Sequence, residues 1–188
     1  MHEIFKKLAS PLRSNAFRGS GQNFRKTEGD FILVVNFQIS RTGSSFFINL
    51  GAQPVFIPAE GNADPNKLKE YECVLRRRVG GEYPLEMPNG QLKELEEYLI
   101  LTMKDFFGHA QTIRSAIASD PPEALLQDFS SGNTLARAAL HIARACLALG
   151  YCEKASSIAN LGLEQASEKA IILKTELNSI ITEGKAQP

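Results

Sequence analysis

Six side chains in the first half of this 188-residue chain are of types that could form one binding surface: Asn36, Gln38, Phe47, Asn49, Arg76 and Arg78. None of them is a nucleophile or a general base. Amides bind through directed hydrogen bonds, and the planar guanidinium fork suits a carboxylate or a phosphate. The chemistry they offer is recognition of a small anionic ligand or an acidic protein partner.

These residues meet only if the backbone brings them to one face. Residues 31–54, FILVVNFQISRTGSSFFINLGAQP, read as two long strands joined by a tight turn at Thr42-Gly43. Strand residues alternate faces. Phe31, Leu33, Val35, Phe37 and Ile39 share one face, and Phe46, Ile48, Leu50 and Ala52 share a face of the next strand. Pairing residues whose numbers sum to 85 makes the two apolar sets coincide, and a slip of one residue would separate them. Asn36 then lies opposite Asn49, and Gln38 opposite Phe47. Asn is depleted in strands, so a facing pair in mid-ladder asks for a reason. One reading is a solvated outer face with a cross-strand amide pair. The other is a polar patch that binds something.

Arg76-Arg77-Arg78 lie in a strand expected over residues 71–79. Arg76 and Arg78 point one way and Arg77 the other. If Val74 faces the core, Arg76 and Arg78 must snorkel or pair. If Cys73 and Leu75 face it, the two arginines join Asn36, Gln38 and Asn49 on the outer face. Ion pairs to Glu70 or Glu72 at a solvated strand end are the plainer alternative.

Other chemistry is thin. His2, His109 and His141 have no Cys or carboxylate at metal-ligand spacing. No nucleophile elbow, phosphate-binding loop or paired-histidine zinc motif occurs. Cys73 with His109 would need a meeting that only the fold could arrange. Phe47 among polar residues, with Arg25, Lys26 and Arg41 near strand ends, gives nucleic-acid binding a weak footing. No cofactor is implied. The formal net charge is zero, with +3 in residues 1–90 and −3 in the remainder, too mild to name a partner. Cys73, Cys146 and Cys152 read as small core residues in a reducing compartment. The N-terminus has no continuous apolar region, and no run reaches a membrane-spanning length. A cytoplasmic protein, with no membrane partner, is expected.

A short helix over residues 2–9 precedes a first strand over 18–27, and proline and glycine break the chain between 54 and 70 and again between 80 and 90. From Leu92 onward apolar residues recur at helical spacing. Asp120 reads as an N-cap before Pro121, and helices are expected over 134–149, 153–165 and 167–181. The helical pair across Leu149-Gly150 looks like one tetratricopeptide-like hairpin, but a single copy does not make a repeat array. The expected fold is α+β: an antiparallel sheet of about four strands packed on helices in residues 1–110, followed by a helical extension over 111–188. The alanine-rich helical faces leave a homodimer open.

Leu8, Pro11-Leu12, Phe17 and Phe24-Arg25, then Val35-Asn36-x-Gln38-x-Ser40, Phe47-Ile48-Asn49-Leu50-Gly51, Glu72-Cys73, Arg76 and Arg78 form a pattern. With these residues the first ~110 positions resemble a bacterial family catalogued as domain-of-unknown-function family 4304. The resemblance implies an α+β domain with an antiparallel sheet and implies no chemistry. The function expected is a non-enzymatic binding or interaction protein using the outer sheet face. The alternative is a small-molecule or nucleotide-handling enzyme with Arg76 and Arg78 as an anion clamp.

Overall fold

The computed structural model describes residues 2–59, 64 and 66–186. The chain forms two compact units, Met1–Val55 with Ala59–His109, and Phe56–Pro58 with Ala110–Pro188.

In the first unit a helix, Glu3–Ser14 (α1), precedes five strands: Arg18–Ser20 (β1), Asn23–Glu28 (β2), Phe31–Ile39 (β3), Ser45–Pro54 (β4) and Leu75–Pro84 (β5). They form one antiparallel sheet in chain order, β1-β2-β3-β4-β5. The central hairpin has the register that the apolar pattern predicts, from Phe31 opposite Pro54 to Ile39 opposite Phe46. Gly43, at φ 74°, supplies the turn's left-handed residue. The extended stretch expected over 18–27 is itself a hairpin. It turns at Gly21-Gln22 with Gly21 at φ 65°, which adds β1 as a short edge strand.

One sheet face is the core. Phe24, Phe37, Phe46, Ile48 and Leu50 are fully buried on it. Phe5 of α1 stacks on Phe37 with ring centroids 5.2 Å apart and meets Phe46 edge-on at 5.2 Å. Helix α1 runs on past Pro11, which lacks one backbone donor. Its buried stripe of Ile4, Phe5, Leu8 and Leu12 outweighs that loss. A long helix, Asn89–Gln111 (α2), buries Leu92, Leu95, Leu99, Met103, Phe106 and Phe107. Arg77 points to this side of the sheet. Its Nη1 lies 2.5 Å from Asp105, and its guanidinium sits 5.1 Å from the centre of the Phe106 ring.

The second unit is helical: Ile113–Ser119 (α3), Pro122–Phe129 (α4), Leu135–Ala148 (α5), Cys152–Gln165 (α6) and Ile171–Ala186 (α7). The helix expected at Asp120-Pro121 begins one residue later, with Pro121 as its cap and Pro122 first in the turn. Thr134 caps α5 by accepting from Arg137 N. Helices α5 and α6 form the expected hairpin, and α7 packs on both rather than starting a second repeat. Gly162 of α6 lets the three approach, because a Cβ there would lie 2.7 Å from Ala139 Cβ and 3.1 Å from Leu177 Cδ2. Alanine favours a helix over glycine by roughly 1 kcal/mol, but overpacking costs about 1–3 kcal/mol. Gly162→Ala is therefore expected to lower the urea midpoint, and an unchanged or raised midpoint would show that the three helices part to admit the methyl.

His141 of α5 is 3% exposed. Burial, with Arg144 and Arg137 nearby and Glu176 partly opposing them, pulls its pKa down to about 4. An ordinary histidine titrates near 6.5, so between pH 6.5 and 4 the unfolded chain takes up a proton that the folded one refuses. The stability His141 allows is full above pH 6.5 and falls as pH drops through that window, by up to about 3 kcal/mol. His141→Leu is expected to flatten this part of the stability–pH curve measured by urea unfolding.

Candidate functional site

The outer sheet face is built in cross-strand rows. In one row Asn23 of β2 pairs with Asn36 of β3, Asn36 with Asn49 of β4, and Asn49 with Arg78 of β5. The next row runs Arg18, Arg25, Val34, Gly51, Arg76. The third holds Thr27, Ile32 and Gln53. Of the two orientations open to the arginine strand, this is the one with Arg76 and Arg78 outward.

The segment leading into β5 crosses the second and third rows as a strap. Leu68 and Cys73 pack on Ile32 and Val34 in a small apolar cluster. Gly51 makes room, since a Cβ there would lie 2.7 Å from Cys73 Sγ and 3.1 Å from the Glu70 carbonyl oxygen. Two arginines of the second row pin the strap. Arg25 donates from Nε to the Leu68 carbonyl at 2.6 Å and from Nη2 to the Lys67 carbonyl at 3.0 Å. Arg76 Nε donates to Glu70 at 2.9 Å. Gln53 Oε1 accepts from Val74 N at 3.2 Å. Burial pushes the Cys73 thiol well above its ordinary value, so it is a poor nucleophile near neutral pH.

The first row stays uncovered. With the wall of the strap it bounds a cleft of about 520 Å³, lined by Gln22, Asn23, Asn36, Gln38, Asn49, Lys69, Glu70, Tyr71, Arg76 and Arg78. Five of the six residues singled out in the sequence line it. The sixth, Phe47, lies beneath Arg78, whose guanidinium carbon is 4.3 Å from the ring centre. Phe47 stands where the β4–β5 register shifts, an irregularity that re-aims side chains. Arg76 and Arg78 have different work: Arg76 holds the strap through Glu70, and Arg78 faces the cleft.

The amides form a chain with a fixed direction. Arg78 Nε donates to Asn49 Oδ1 at 3.0 Å. Asn49 Nδ2 donates to Asn36 Oδ1 at 3.3 Å and to Gln38 Oε1 at 3.1 Å. Asn36 Nδ2 donates to Asn23 Oδ1 at 3.1 Å and to the Gln22 carbonyl at 3.4 Å. A guanidinium can only donate and a backbone carbonyl can only accept, so the two ends force every amide between them into one orientation. Buried Asn49 and half-buried Asn36 thus spend both amide hydrogens internally. The side-chain carbonyls of Asn23 and Gln38 each accept one of these bonds. Their NH₂ groups, and the two η nitrogens of Arg78, hydrogen-bond to no described residue. The network leaves unspent donors at the cleft and turns its carbonyls toward its own donors. Lys69, Arg76 and Arg78 against Glu70 leave the lining two positive charges in excess.

Gln22, Asn23, Lys69 and Tyr71 were not singled out by sequence, whereas Glu70 was expected as an ion-pair partner of the arginines and pairs with Arg76. Asn23 was within reach, because a turn at Gly29-Asp30, with Gly29 at φ 54°, pairs residues whose numbers sum to 59 and sets Asn23 opposite Asn36. Nothing local signals the other two strap residues of the cleft, Lys69 and Tyr71. Among the described residues, no group of three or more His, Cys, Asp or Glu side chains could hold a metal ion, and no helix is long and apolar enough to cross a membrane.

The family described as a domain of unknown function, DUF4304, matches residues 8–103. No curated protein and no solved structure matches the chain.

Proposed function

The chain belongs to the DUF4304 family, and we propose that it is a non-enzymatic binding protein that holds a small anionic ligand in the cleft of its outer sheet face. One observation supports this above all. The one-way amide chain turns its carbonyls toward its own donors and leaves the donors of Arg78, Gln38 and Asn23 for a ligand. A site of donors with excess positive charge favours an acceptor-rich anion, a carboxylate or a phosphate. The lining residues include no histidine, cysteine or serine, and the one carboxylate, Glu70, is spent on Arg76. A flat, partly apolar patch would have favoured a protein partner. A concave polar cleft of this volume fits a small molecule instead. Cys73, Cys146 and Cys152 as thiols rather than disulfides fit a cytoplasmic setting.

Thermal unfolding in the presence of phosphate, citrate and glycerol at constant ionic strength tests the proposal. A ligand that binds only the folded state raises the melting temperature. Phosphate or citrate is expected to raise it saturably, less so in high salt, and glycerol at equal concentration is not. The proposal fails if neither anion moves the melting temperature beyond a chloride control.

A further inference from the structure

Resting on the anion cleft proposed above, we propose that its ligand carries a planar ring as well as an anionic group, the chemistry of a nucleoside monophosphate. Three features of the cleft point past a bare anion. The first is size: about 520 Å³ is in the range of cavities that take whole small molecules, and phosphate alone would leave most of it to water.

The second is the spacing of the donors. Asn23 and Arg78 stand at opposite ends of a row crossing four strands. Adjacent strands lie about 4.8 Å apart, so the row is roughly 14 Å long. Arg78, with Gln38 beside it, can hold an anionic group at one end. The free Asn23 NH₂ is too far away to share that group and needs an acceptor elsewhere on the same ligand, such as a ring carbonyl.

The third is the cleft wall. Tyr71 lines the cleft with 62% of its surface exposed and has no ring partner among the described residues. An exposed aromatic beside a run of donors is a stacking platform, and stacking accepts a base through its π-face. The guanidinium carbon of Arg78 also lies over the Phe47 ring, 4.3 Å from its centre, and a guanidinium plane is a second surface on which a planar group can rest. Anion, acceptor and ring would then follow one another along the cleft.

Titration calorimetry of the whole protein with uridine 5′-monophosphate and with ribose 5-phosphate separates the ring from the anion. The monophosphate is expected to bind about tenfold tighter. Tyr71→Ala should remove that advantage and leave ribose 5-phosphate binding unchanged, and Tyr71→Phe should keep it. Arg78→Ala should weaken both ligands. Equal affinity for the two ligands in the unaltered protein, or equal weakening of both by Tyr71→Ala, overturns the ring while leaving the anion cleft in place. Binding of neither ligand overturns the cleft itself. Tyr71 is exposed and makes no hydrogen bond among the described residues, so its variants test recognition rather than folding.

Discussion

Arg78→Ala is expected to weaken phosphate binding about ten- to a hundredfold, the usual loss when a charged hydrogen-bond donor is removed from a ligand site. Stability should fall only modestly, by up to about 1 kcal/mol, because Asn49 Oδ1 loses its donor while Arg78 itself is exposed and pairs with no described carboxylate. Its loss also removes the donor that fixes Asn49. The orientation of Asn49 is still set from the other end, where the Gln22 carbonyl accepts from Asn36, so the floor of the cleft should survive. Asn49→Asp is the informative companion. A carboxylate 3.0 Å from Arg78 Nε would neutralise the guanidinium in place, and it has no hydrogens to give Asn36 Oδ1 and Gln38 Oε1. Anion binding at neutral pH should fall as far as in Arg78→Ala, and stability should drop by about 1–3 kcal/mol because the buried carboxylate faces the carbonyl oxygens of half-buried Asn36 and exposed Gln38 with no hydrogen to give them. Calorimetry and urea unfolding of the two variants separate charge from framework. If Arg78→Ala binds phosphate as the unaltered protein does, the guanidinium is not part of the site.

Gly51→Val is expected to lift the strap. Valine suits a strand better than glycine does, so local propensity predicts a gain. The tertiary contact decides otherwise. A Cβ at residue 51 meets Cys73 Sγ at 2.7 Å, Cys73 Cβ at 3.0 Å and the Glu70 carbonyl at 3.1 Å. Backbone and a short side chain cannot yield as a long flexible one would. Overpacking of this kind costs about 1–3 kcal/mol, and the loss should concentrate where the strap covers Ile32 and Val34. Cys73, now 1% exposed, should react with a thiol reagent much faster in the variant, as located by mass spectrometry of the labelled peptide. Because Lys69, Glu70 and Tyr71 ride on the strap, the cleft should lose its wall and phosphate binding should weaken too. An unaltered Cys73 reaction rate would mean that the strap does not rest on Gly51.

The central hairpin was legible because two local signals agree. Apolar residues alternate from Phe31 to Ile39 and again from Phe46 to Ala52, and Gly43 sits where the turn needs it. That register alone set Asn36 opposite Asn49. The β1–β2 hairpin was not legible, since a three-residue strand and a two-residue turn look like a single extended stretch. Asn23, the end of the amide row, depends instead on the turn at Gly29-Asp30, which sets it opposite Asn36. The division of labour between Arg76 and Arg78 could not be read from their spacing. It depends on Glu70 reaching Arg76 through the strap and on Phe47 lying under Arg78. The strap is the least local feature of all. Arg25 holds it from 43 residues away in sequence, through carbonyls that every residue possesses. Helix ends fared according to their caps: Thr134 and Gly150 bracket α5 close to expectation, whereas α7 begins at Ile171 rather than near Ser167.

The most direct test of the one-way donor network is a phosphate titration followed through the side-chain N–H resonances of Asn23, Asn36, Gln38, Asn49 and Arg78. The Arg78 guanidinium and the NH₂ group of Gln38 are expected to shift saturably with a common dissociation constant, while the NH₂ group of Asn23, at the far end of the row, should move little. The NH₂ groups of Asn49 and Asn36, already committed inside the protein, should move far less. Shifts confined to other cations, or absent from Arg78 and Gln38, would contradict the account.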